Sequence, residues 1–177
     1  TGNSQWYNTT QLSKGKRYSH TTTVMNATSI LVLGGIDGAG NTLANSEIYD
    51  ARTKTWSQTL PDMKTPRSQH ATAVTSLSPE DKDSRKLCVF GGKDHDGNVL
   101  KSIECYDSIS NEWNIIGNMQ FGARYGHSVQ VIGKANDSEQ IFLIYGGNDG
   151  TSAQRSTEYW STDSLSFVQA GNALVDE

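Results

Sequence analysis

Residues 90–98 read FGGKDHDGN, two adjacent glycines closing an apolar run. Such a pair has two readings. A glycine-rich loop can cradle a phosphate, or the backbone can turn there in a way that glycine alone allows. The copy number decides between them. The doublet occurs three times, as Gly34-Gly35, Gly91-Gly92 and Gly146-Gly147, after the runs SILVL, KLCVF and IFLIY. A phosphate loop is expected once, opening a helix, and no helical period follows any of these copies. The doublet is therefore a device of the fold. The second glycine can take positive φ, and neither carries a side chain to obstruct a neighbouring unit.

The residues around the doublet recur with it. Tyr49 and Tyr106 follow the second glycine by fourteen residues, and Trp160 by thirteen. Two residues before each aromatic stands an acid, Glu47, Glu104 or Glu158. A second aromatic follows at Trp56, Trp113 and Phe167. Eleven residues after Trp6, Trp56 and Trp113 come Arg17, Arg67 and Arg124, and three residues after each Arg comes His20, His70 or His127. A period of this size marks a repeat architecture. The spacing varies between the His and the next doublet, where the polar inserts LSPEDKDSRK and GKANDSEQ read as solvated hairpin loops.

This pattern resembles the kelch repeat, whose units each form one four-stranded blade of a β-propeller. The resemblance rests on three copies in register of the doublet, the aromatic pair and the Arg-x-x-His opening. It implies an all-β fold, a partial kelch-type β-propeller of three four-stranded antiparallel blades. Residues 1–16 read as the outer strand of a preceding blade, carrying Trp6, and the blades span 17–66, 67–123 and 124–177. Strand A follows each His, strand B ends at the doublet, strand C carries the first aromatic and strand D the second. Three blades fall short of the four to eight of a closed propeller. The remaining blades are expected from the same longer protein or from a second copy.

Composition narrows the function. Charged residues make up 19% of the chain and net charge is −4, which argues against nucleic acid as the main partner. No apolar run is long enough to span a bilayer, and the opening TGNSQWYNTT is no signal peptide. Cys88 and Cys105 read first as two small buried hydrophobes, with one cross-strand bridge as the alternative. Sequons at Asn8, Asn26 and Asn136 are about as many as chance gives in a chain so rich in Asn, Ser and Thr. The compartment stays open, with the cytoplasm slightly favoured.

A catalytic His is singular, so a His at one repeat position in three units points to a structural role, a local polar contact at the start of the inner strand. The arginines are expected to bond carbonyls or the repeat's acid, and the large rings to pack between blades. No metal or cofactor is expected, and no Ser-His-Asp set or carboxylate pair stands out from the repeat. The resemblance implies a protein-interaction module, of scaffold or substrate-adaptor type, recognising a protein through loops on one face. Its candidate residues are Asp37, Asp94, His95, Asp96, Asn148 and Asp149 in the B–C loops, and Tyr18, Ser68, Gln69 and Tyr125 in the D–A connections. A propeller within an oxidase or sugar-modifying enzyme, and a purely structural assembly role, are the alternatives.

Overall fold

A computed structural model of the chain describes residues 9–57, 60–75, 86–133, 140–161 and 167–168. The expected strand around Trp6 and most of both polar inserts lie outside these residues. Among the described residues there is no helix. Strands form where β-branched and aromatic residues alternate or run together, and they stop at Gly, Asn and Asp.

Three four-stranded antiparallel sheets follow one another along the chain. The first comprises β2 (Thr21–Asn26), β3 (Ser29–Leu33), β5 (Ser46–Asp50) and β6 (Thr55–Ser57). The second comprises β7 (Ala71–Val74), β8 (Leu87–Phe90), β9 (Ser102–Asp107) and β10 (Glu112–Asn118). The third comprises β11 (Ser128–Ile132), β12 (Ile141–Tyr145), β13 (Thr157–Ser161) and β14 (Phe167–Val168). A further two-stranded ladder joins β1 (Arg17–Tyr18) to β4 (Ile36–Asp37). The first strands of the three sheets, β2, β7 and β11, stand side by side. This is part of a β-propeller, with the first strand of each sheet innermost.

The core lies between the sheets. Leu31, Leu33 and Met63 of the first meet Leu87, Val89 and Trp113 of the second. Cys88, Phe90, Ile103, Cys105 and Met119 of the second meet Phe142, Ile144 and Trp160 of the third. Trp113 is fully buried, and its indole N–H donates to Pro61 O at 2.8 Å, so the ring loses no hydrogen bond on burial. The cross-strand pairs Tyr49–Trp56 and Tyr106–Trp113 have ring centroids 5.1 and 5.7 Å apart, within the range where tilted rings attract.

Both glycines of each doublet take positive φ, and they do different work. At Gly35 and Gly92 an added Cβ would strike the unit's own crossing, Tyr18 O and Ser68 O. At Gly34 and Gly91 it would strike the next unit, at Arg67 O and Arg124 O. The first glycine, more than the second, keeps clear of the neighbouring sheet. The Gly35 and Gly92 N–H groups donate to those same Arg67 and Arg124 carbonyls at 2.9 Å each, latching sheet to sheet.

The cysteines follow the second of the two sequence readings. Cys88 and Cys105 are register partners on β8 and β9 and form a disulfide. Directly opposed positions in an antiparallel pair bring Cβ atoms close enough for the bond, and a reading of each cysteine alone could not see the register.

Candidate functional site

The strands alternate in direction, so the β3–β5, β8–β9 and β12–β13 connections lie at the same end as the segments that cross from one sheet to the next. Backbone pairing joins the two sets. Tyr18 is opposite Ile36 in the β1–β4 ladder, Ser68 opposite Lys93, and Tyr125 opposite Asn148. Ser68 and Lys93 exchange both N–H···O bonds, at 2.9 and 2.8 Å, and Tyr125 and Asn148 do so at 3.0 and 2.9 Å. The ten candidate residues therefore share one face.

Beneath that face lies a repeated buried hub. Arg17 donates from Nη2 to Glu47 Oε1 at 2.9 Å and from Nη1 to Gly34 O at 3.1 Å. Arg67 makes the same contacts to Glu104 and to Gly91 O, the latter at 2.9 Å. Arg124 binds Glu158 Oε1 at 2.7 Å and Gly146 O at 3.1 Å. The arginines thus meet both the carbonyls and the repeat's acid, as the spacing implied. Each also reaches a side-chain oxygen two residues before the acid, on Asn45, Ser102 or Ser156. The glutamates in turn accept backbone N–H bonds from the crossing segments, at Ser13, Lys64 and Gln120. Charge-assisted bonds of this kind fix the frame that carries the loops.

One of the histidines, His70, makes a different contact from the local one expected. His70 Nε2 shares a 2.9 Å hydrogen bond with Thr21 Oγ1 on the preceding sheet. Burial, with Arg67 and His127 nearby, pushes His70 down to about 3, so its ring is neutral at ordinary pH. The residue before each His, Ser19, Gln69 or Gly126, lies in the left-handed region with φ of 54°, 53° and 62°. These residues form a chain between sheets, Gln69 N–H to Ser19 O at 2.9 Å and Gly126 N–H to Gln69 O at 2.8 Å. Neither a single repeat nor its spacing shows a contact that crosses sheets.

His127 breaks this pattern in an informative way. Both its ring nitrogens are buried without a hydrogen-bond partner. The position that Thr21 fills for His70 is held by Ala71 for His127. We expect Ala71→Ser to supply the missing hydroxyl and to stabilise the protein by about 1 kcal/mol. Urea unfolding measures this, and an unchanged or lower midpoint would contradict the pairing.

The candidate residues divide by what their side chains already do. Asp37 Oδ1 accepts from the Ala39 and Asn41 N–H groups, and Asp94 Oδ1 from those of Asp96 and Asn98. Asp149 Oδ1 accepts from the Thr151 and Ser152 N–H groups. Bonds from the Thr151 side chain and from those N–H groups draw the Asp149 carboxyl down to about 2. Asn148 Oδ1 accepts from Gly150 N–H at 2.7 Å. These four side chains staple their own loops. The motif is visible as Asp37…Asn41 and Asp94…Asn98, each Asn amide returning to its Asp Oδ2, and it is the signal that loop composition alone missed. Ser68 is buried, and Gln69 Oε1 is buried without a partner.

Tyr18, His95, Asp96 and Tyr125 remain. Tyr18 is 57% exposed, so much of its ring meets solvent. His95 and Asp96 are exposed at the loop tip. Lys93 Nζ lies 3.7 Å from the centroid of the Tyr125 ring, a cation–π contact tying the second loop to the third crossing. Among the described residues no group of three or more His, Cys, Asp or Glu is placed to hold a metal ion.

Comparison with known proteins bears on the same architecture. A family model described as Attractin/LZTR1 beta-propeller matches residues 1–171. The chain is also similar to acyl-CoA-binding domain-containing protein 5 of Arabidopsis thaliana, at 29% identity over 161 residues. That alignment covers 84% of this chain and 22% of the relative, so the chain spans about a fifth of that protein's length.

Proposed function

We propose a protein-recognition role for this chain, starting from the fact that it belongs to the Attractin/LZTR1 β-propeller family. The repeats are of kelch type in this reading, and further blades, from a longer chain or a second copy, complete the propeller. The chain carries no catalytic step in this account; it presents a surface. One observation carries the reading. The polar residues common to the units are consumed inside the fold, while Tyr18, His95 and Asp96 stand exposed on one face with the half-buried Tyr125 beside them. Aromatic rings with few rotatable bonds, flanked by adaptable polar groups, are what protein interfaces use as anchors. Loops held on a rigid frame are where recognition residues are placed.

The test uses the full-length protein and the partner it co-purifies with. Replacing Tyr18, His95, Asp96 and Tyr125 together with Ala is expected to weaken that complex roughly tenfold or more. A control set, Arg52→Ala with Ile109→Ala, lies on the turns at the opposite end, where Ile109 is 88% exposed and free to change. Equal binding by both sets, with unchanged melting, would remove the loop face as the recognition surface.

A further inference from the structure

We propose that Asn26 is an N-glycan acceptor and that this protein passes through an oxidising, secretory compartment. Two independent features meet in this assignment. The first is the turn itself. Asn26-Ala27-Thr28 is an Asn-x-Thr sequon without proline; Asn26 ends β2, and Ala27 and Thr28 form the turn into β3. Asn26 and Ala27 are exposed. The Thr28 hydroxyl donates to Asn26 Oδ1 at 3.2 Å and the Thr28 N–H donates to the same oxygen at 2.9 Å. The turn therefore holds the acceptor amide at the surface with its sequon hydroxyl beside it, and a saccharide there displaces no packed side chain.

The second feature is the Cys88–Cys105 disulfide. Such bonds form and persist in secreted and lumenal proteins and are rare where glutathione keeps thiols reduced. This is also the compartment that supplies the co-substrate, a lipid-diphosphate-linked oligosaccharide. In the transfer, the Asn26 amide nitrogen bonds to the sugar's anomeric carbon and the bond from that carbon to the phosphate oxygen breaks. The lipid diphosphate leaves with the electron pair, and one amide proton is lost. Sequon counting alone carried no weight; exposure and the disulfide separate this sequon from a chance match.

Its position has a consequence. The β2–β3 turn is at the end opposite the loops bearing Tyr18, His95, Asp96 and Tyr125, so a glycan there leaves that face open.

The experiment takes the native full-length protein from the cells that make it. Peptide-N-glycosidase digestion in isotopically heavy water is followed by mapping of the tryptic peptide of residues 18–52, whose one sequon is Asn26. The expected result is a heavy-labelled Asp at position 26, with Cys88 and Cys105 of the denatured protein refractory to alkylation until a reductant is added. In a secreted preparation Thr28→Ala abolishes the glycan and Thr28→Ser retains it. An unmodified Asn26 in the native protein would overturn the acceptor assignment, and both thiols alkylating without reductant would overturn the compartment.

Discussion

Glu104→Ala is expected to lower the unfolding free energy by about 3–5 kcal/mol. The carboxylate is fully buried, and three groups converge on it. These are the Arg67 guanidinium, the Lys64 N–H at 2.8 Å and the Thr65 N–H at 3.1 Å. Truncation leaves a cation and two amide donors with no solvent to take them up. Unmet buried charge costs far more than the net worth of the pair, because the two ions already gave up hydration to enter the core. Arg67→Met should cost a similar amount by exposing the same fault from the other side. A double variant, Arg67→Met with Glu104→Leu, should recover part of the loss, since it leaves no charge behind. The surface pair Arg52–Asp50 is the internal contrast. Its nitrogen and oxygen are 3.7 Å apart with the Arg52 side chain 74% exposed, and Arg52→Ala should change stability by no more than roughly 0.5 kcal/mol. Denaturant titration of the four variants decides the matter. A Glu104→Ala cost below about 1 kcal/mol would mean that the hub does not hold the crossings to the sheets.

The hub also shows how far spacing reaches. Arg17, Arg67 and Arg124 recur once per unit with Glu47, Glu104 and Glu158, at separations of 30, 37 and 34 residues that differ by the inserts between them, and each is fixed to its own motif, the Arg to the His and the Glu to the aromatic. Strand placement was legible for the same reason. The segments SEIYD and SIECYD coincide with β5 and β9. A sheet tolerates no slip when one face is buried, so apolar pattern and turn residues fix its register. Contacts between units were legible for the large rings, since Trp113 and Trp160 pack between sheets as expected, but the polar contacts between units were not. Thr21 meets His70 across 49 residues, and nothing in either unit marks the other as its partner. The disulfide fell between these cases. Cys88 and Cys105 become opposed once the second and third strands of that sheet are aligned by their aromatic and acidic residues, a step that weighing each cysteine as a buried hydrophobe omits.

The candidate loops were read by composition, which does not show what the carboxylates of Asp37, Asp94 and Asp149 already bind. Three acids at one loop position read as part of a recognition face. Each accepts two backbone N–H bonds from its own loop, so each carboxylate is already bound. Repetition is the physical clue. A residue type needed in every unit serves what every unit shares, which is its shape. Positions that vary between units, such as His95 and Asp96 where the first loop has Gly38 and Ala39, are the ones the proposed reading leaves for recognition.

Gly91→Ala tests the closeness of the sheets directly. Its φ of +54° falls where an L side chain is strained, and the added Cβ would press on Arg124 O, with Met119 Cε at 2.8 Å and His127 Cε1 at 3.0 Å. Met119 is flexible and can yield. The Arg124 carbonyl cannot, because it accepts the Gly92 N–H at 2.9 Å and its residue is anchored to Glu158. Yielding would pull the second and third sheets apart along the core that contains Phe90, Phe142 and Trp160. Backbone strain and overpacking together set the expected loss at about 3 kcal/mol or more. Gly97→Ala separates the two causes. Its φ of +83° carries the same kind of strain, yet nothing stands within 4 Å of its Cβ position, so it should lose only about 1 kcal/mol. If the two variants lose equal stability, conformational preference alone explains the doublet and the sheets do not depend on that close approach. If Gly91→Ala loses several times more, Gly34 and Gly91 are glycines because a neighbouring backbone, at Arg67 O and Arg124 O, occupies the place of the side chain.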